Sequence, residues 1–232
     1  MRGTMPTLRM FRGLAIPASQ RDDVMGRIAA TGFVGDEGRW SIIHQHPGEV
    51  DALFEQEDLD TKVTRPDGVM HPKVVCACGE IDGASYYACS HNRSADDDAP
   101  IIVEFDVPLG DVAIDGRDFL YTAFQFARPE AAREALLAAF GPRVLRYADK
   151  AWSADDQGKR IALCDLAIHD PAVIEAHHSN RTVIAGRYGT VFRNAFTVVC
   201  PVAPERIRSV RSAPERFAVP QAVFSLRDMI GR

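Results

Sequence analysis

Lysine is scarce in this chain of 232 residues. Only Lys62, Lys73, Lys150 and Lys159 occur among 27 basic side chains, and the other 23 are arginine. Arginine suits forked contacts with phosphate or carboxylate, although a GC-rich coding sequence yields the same bias with no functional meaning. Acids outnumber bases, and the net charge of −5 argues against nucleic-acid binding by the surface as a whole. No apolar run approaches the ~20 residues of a membrane-spanning helix, so no membrane partner is expected. The first twelve residues carry three arginines and no following apolar stretch. That pattern lacks a secretory signal, and a cytoplasmic location, or delivery by a route without a cleavable signal, is expected. Five cysteines, an odd number embedded in apolar strings, exclude a disulfide framework and fit a reducing compartment. Also lacking are internal repeats, linkers, a phosphate-binding glycine loop, a serine-nucleophile elbow and a zinc-protease helix motif.

What is present is ordinary globular material, 46% hydrophobic and 25% charged, which excludes wholesale disorder. The length favours one elaborated domain over residues 1–232, with an irregular C-terminal arm from about residue 212. Charge is unevenly spread. Residues 181–232 hold nine arginines against Glu205, Glu215 and Asp228, a local +6 that leaves −11 on the rest. The C-terminal segment is therefore the expected face for an anionic ligand.

Alternation and β-branched runs predict strands over 8–16, 74–78, 101–107, 112–114, 119–126, 144–148, 161–168, 183–185, 190–192 and 195–200. Helices are predicted over 20–30 with Ser19 as N-cap, over 49–58, from residue 84, over 130–140 behind Pro129, and over 171–177 behind Asp170. Strands outnumber helices without regular alternation, so the class is α+β, with strand-rich mixed or antiparallel sheets and a few short helices.

The order of these pieces resembles the ADP-ribosyltransferase superfamily. An opening strand carries Phe11-Arg12-Gly13, and Gly32-Phe33 closes the following helix. The strand Val75-Cys76-Ala77-Cys78-Gly79 leads into Ala84-Ser85-Tyr86-Tyr87-Ala88. Residues 194–207 have the cadence of the family's late strand, Val-Pro turn and isoleucine. The resemblance implies an NAD-binding cleft, cleavage of the nicotinamide–ribose bond, and transfer of ADP-ribose to a macromolecular acceptor, protein or nucleic acid. It implies that Arg12 and Gly13 anchor NAD and that Tyr86 or Tyr87 stacks on nicotinamide; Arg187, drawn from the basic C-terminal segment, is a further phosphate candidate. Two departures stand out. Cys76, Ala77 and Cys78 occupy the family's hydroxyl positions, and Asn194 stands where the catalytic glutamate is expected. Asparagine can orient a ribose but cannot offset an oxocarbenium-like charge. Asp118, in the run Asp115-Gly116-Arg117-Asp118, is the substitute acid, with Asn194 as ribose orienter.

Each residue also has a plainer reading. Arg12 can pair with a carboxylate, a tyrosine of the pair can simply pack a helix, Asp115-Gly116 can be a turn, and the glycines around Arg187 suit a hairpin. A non-catalytic nucleotide-binding module on the same fold is the alternative function. Less favoured is a metal-dependent hydrolase using His44/His46, Cys76/Cys78 and Cys89/His91, pairs that lie on unrelated elements. His177 and His178 close a short helix, where a cation suits the dipole.

Overall fold

The computed structural model describes residues 6–35, 47–68, 72–186 and 191–231; the side chains of residues 47, 48, 117, 118 and 192 fall outside that description. The chain opens with β1 (Thr7–Pro17) and passes through a 3₁₀ turn at Ala18–Gln20 into α1 (Arg21–Thr31). Gly32 stops α1 at a φ of 69°, a left-handed value that glycine adopts without steric cost. Next come α2 (Pro47–Phe54), the single turn α3 (Thr61–Thr64), β2 (Val74–Cys78) and α4 (Ile81–Tyr86), which runs into a π-helical turn at Tyr87–His91. The strands β3 (Asp98–Pro108) and β4 (Val112–Ile114) follow. Five helices come in succession: α5 (Arg117–Phe126), α6 (Pro129–Phe140), α7 (Val144–Trp152), α8 (Gln157–His169) and α9 (Pro171–His178). The chain then runs through β5 (Ile184–Ala185), β6 (Val191–Phe192), β7 (Ala195–Val199), β8 (Ile207–Ser212), β9 (Phe224–Ser225) and α10 (Leu226–Ile230). Among the described residues no helix is long and apolar enough to cross a membrane.

Where the sequence suggests one domain, the contacts divide the chain into two compact units. The first comprises residues 1–39, 72–112 and 195–220, and the second comprises 40–71, 113–194 and 221–232. The first unit is built on an antiparallel sheet of order β4-β7-β2-β1-β3-β8, with the unit boundary falling inside β4. β1 and β3 pair over their full length, from Thr7↔Pro108 to Pro17↔Asp98. β3 lies between β1 and β8 and buries Ile101, Ile102 and Val103 in succession, so both of its faces are covered.

The second unit is a helical layer around Phe119, Phe124, Phe140 and Tyr147, all buried. Phe119 and Phe140 stack at 5.9 Å between centroids. A small sheet of order β6-β5-β9 belongs to it, with β5 and β9 parallel.

The α+β class holds, but the described residues are 47% helical against 24% strand, so helix outweighs strand. The segments 119–126, 144–148 and 161–168, read as strands, are the helices α5, α7 and α8. In α7 the buried residues Val144, Tyr147, Ala148 and Ala151 follow helical spacing. α8 is buried over 162–169, and a short apolar run of that kind carries no periodicity to separate helix from strand. Ser19 does not cap α1, because it lies within the 3₁₀ turn. The C-terminal arm is not irregular throughout: it ends in β9 and α10, with Leu226 and Met229 buried and Met229 O accepting the Arg128 amide at 3.0 Å.

Candidate functional site

In the first unit β1 is zipped to β3 but meets β2 at a single register position, Phe11↔Cys78. The next residue on β1, Arg12, takes over from the ladder. Its half-buried guanidinium donates from Nη1 to the Cys76 carbonyl at 2.7 Å, a charge-assisted bond across the gap between the strands. Arg12 thus has a backbone partner rather than the carboxylate partner of its plainer reading, and a guanidinium carries five N–H donors in all.

Gly13 sits where β1 touches α4. A Cβ there would lie 1.9 Å from Ala84 O and 2.9 Å from Ala88 N, so only glycine permits the approach. Beyond this contact the helix widens into the π turn. The Asn92 amide reaches back five residues to Tyr87 O at 2.8 Å, and Asn92 Nδ2 donates to Gly13 O at 3.2 Å. Single π turns recur at functional sites. Tyr87 starts this one. Its half-buried ring packs on the cluster of Cys78, Ala84, Ala88 and Ile102, and it meets Tyr86 edge-on at 5.7 Å and His91 at 5.2 Å. Gly13, Tyr86 and Tyr87, singled out from sequence, are therefore gathered around one β1–α4 contact, whereas the side chain of Arg12 leaves β1 from the opposite face and reaches the Cys76 carbonyl. Asn92 was missed. Its only sequence signal is a place at the end of an aromatic helical segment.

The three cysteines near this contact differ. Cys76 is exposed and Cys78 is buried. Cys89 is half-buried against the same cluster, and burial pushes its thiol pKa up, opposed by the charge of Arg93. Among the described residues no group of three or more His, Cys, Asp or Glu is placed to hold a metal ion; His44 and His46 lie outside those residues.

The remaining expectations fare differently. Asn194, in the second unit, is fully buried, holds a left-handed φ of 50°, and donates Nδ2 to Asn180 O at 2.9 Å. Asparagine tolerates that conformation better than most side chains. The bond holds the turn into β7, and it engages Nδ2 of the side chain expected from sequence to orient a ribose. Asp118 lies in the first turn of α5 rather than at a strand edge, and its side chain is outside the described set. Arg187 also lies outside the described residues.

Three arginines of the C-terminal segment lie against acids. Arg206 pairs with Asp111 at 3.3 Å, Arg208 with Asp106 at 2.6 Å, and Arg211 approaches Glu104 at 3.9 Å. The hydrogen bond to Asp106 raises the Arg208 pKa further. Part of the +6 read from sequence is thus offset by acids on and beside β3.

In the second unit the prominent polar groups are structural. Asp170 caps α9 through Ala172 N at 2.9 Å, and its other oxygen accepts from Tyr147 OH at 2.6 Å and Arg143 Nε at 2.8 Å. Burial, then the bond to Asp170, pushes the Tyr147 pKa up. Asp165 is held by both Arg65 nitrogens, at 2.7 and 2.6 Å, and by Thr64 Oγ1 at 3.0 Å. His177 is a core residue rather than a helix-end cation. It is fully buried, with Nδ1 2.9 Å from Ala139 O and its ring stacked on Phe140 at 4.9 Å. No protein-family model, curated protein or solved structure matches the chain.

Proposed function

We propose that the first unit binds NAD at the β1–β2 gap and that the protein is an ADP-ribosyltransferase-like enzyme. The observation that carries this reading is Arg12 spanning the unzipped strands, with further N–H donors beyond the one bound to Cys76 O. A forked guanidinium suits a pyrophosphate. In the reaction, the bond between nicotinamide nitrogen and ribose C1′ breaks and nicotinamide leaves with the bonding pair. A nucleophile of a macromolecular acceptor bonds to C1′ and gives up its proton. Positive charge develops on the ribose as that bond opens, and a carboxylate stabilises it. Asn194, neutral and engaged with Asn180, is not assigned to ribose.

Calorimetry with NAD on wild type, Arg12→Ala and Arg12→Lys tests the binding step. Saturable binding is expected, with affinity reduced at least about tenfold in Arg12→Ala and only partly restored by lysine, which lacks the fork. Undiminished affinity in Arg12→Ala would remove the basis of the proposal. The buried, neutral Asn194 favours a second reading, a silent nucleotide-binding module. In that case NAD raises the melting temperature while no nicotinamide is released above the spontaneous rate.

A further inference from the structure

We infer that Arg143 and Arg146, at the start of α7, form a binding site for a phosphate group, with Asp51 standing in the anion's place. The site lies wholly within the second unit and does not depend on the nucleotide reading above. Arg143 is the N-cap residue of the nine-residue α7, whose first turn holds no acid. The two arginines are three residues apart and share a face of the helix. Both reach one atom. Oδ1 of Asp51, on α2, pairs with Nη2 of Arg143 and lies 2.8 Å from Nη2 of Arg146.

The two pairs are unequal. In each guanidinium Nε and Nη2 share one edge, the fork that takes two oxygens of a single anion. Arg143 divides its fork, with Nε on the buried Asp170 at 2.8 Å and Nη2 on Asp51. Arg146 makes no hydrogen bond along its fork. Its Nε and Nη2 are both shielded from solvent, and neither has an aligned acceptor among the described residues. Asp51 thus gives Arg146 an opposite charge without a hydrogen bond. Buried donors of that kind are costly and few, and each calls for an acceptor. The guanidinium is held in place over the Phe54 ring at 3.8 Å and the Tyr147 ring at 4.9 Å. Lys150, one turn on, is engaged with the Phe54 carbonyl and ring, and adds positive charge nearby.

The donor count selects the ligand. Nε and Nη2 of Arg146 call for two oxygens, and Nη2 of Arg143 for a third. A carboxylate that fills the first fork has no oxygen left for Arg143, whereas a phosphate has. Asp51 is suited to give way, because its side chain is 62% exposed and an exposed ion pair contributes little.

The test is calorimetric titration of the full chain with inorganic phosphate and with glycerol phosphate, at constant ionic strength. Wild type, Asp51→Ala and Arg146→Gln are compared, and thermal melting of each reports folding. Asp51→Ala is expected to bind phosphate at least about fivefold more tightly than wild type, since one competing exposed pair is gone. Arg146→Gln is expected to lose saturable binding. A gain of affinity is a readout that a damaged fold does not produce. Equal or weaker binding in Asp51→Ala, no saturable binding to that variant, or binding that survives in Arg146→Gln would each overturn the inference. Tighter binding of glycerol phosphate assigns the site to a phosphate ester, and tighter binding of inorganic phosphate assigns it to the free anion; either supports it.

Discussion

His177 lies flat on Phe140 in a fully buried setting, and that burial sets its acid–base behaviour. Desolvation brings its pKa from 6.5 down to about 4, helped by His178 and opposed by the bond to Ala139 O. The unfolded chain therefore binds a proton between these values while the folded one does not. Stability is complete above pH 6.5 and is lost as the pH falls towards 4, by up to about 3 kcal/mol. Urea unfolding from pH 7 to 4.5 is expected to show this decline, with a shallower slope in His177→Gln. Equal slopes would place the titrating group elsewhere. Gly13 shows the same dependence on surroundings: its sequence neighbours, Arg12 and Leu14, say nothing of Ala84, which alone makes it irreplaceable.

At the scale of elements, two helix caps of the same residue type have very different consequences. Asp156 caps α8 through Lys159 N at 2.7 Å from an exposed position. Asp170 caps α9 from a buried one and also holds Tyr147 and Arg143. Asp156→Ala is expected to cost about 1 kcal/mol. Asp170→Ala is expected to cost about 3–5 kcal/mol, because it strands a phenol and a guanidinium that the carboxylate satisfied. Chemical denaturation of the two variants checks the ratio, and similar losses would refute it. The caps also bear on what was legible beforehand. Asp170 before Pro171 marked α9 correctly, and Pro129 marked α6. The start of α8 at Asp156 was not read, because the apolar string that follows it matches a buried strand equally well. Strands β1, β2 and β3 were readable because alternation and β-branched runs are local signals. At the candidate site, Arg12, Gly13 and the tyrosines were readable as a motif order. The bond from Asn92 to Gly13 joins residues 79 apart and has no local signature.

For the whole molecule, the uneven charge along the sequence does not become an uneven surface of the same size. Arg206, Arg208 and Arg211 lie beside Asp111, Asp106 and Glu104, so part of the basic segment is offset by acids held near it by the β3–β8 pairing. Retention on immobilised heparin is therefore expected to fail at about 0.15 M salt, where the screening length is about 8 Å. Asp106→Asn combined with Glu104→Gln should increase it. Firm retention of the unaltered protein at that salt would contradict the pairing. The partition into two units has a further consequence, for the order of synthesis. The chain alternates between the units five times along its length. As it leaves the ribosome, β1 gains β2 and β3 early, whereas β7 and β8 emerge only after all five helices from α5 to α9. The sheet therefore waits, incomplete at β2 and at β3, while a later stretch of chain folds. A ribosome stalled near residue 190 would hold finished helices beside an unfinished sheet, and a single cut anywhere between residues 40 and 220 would leave neither unit whole in either fragment.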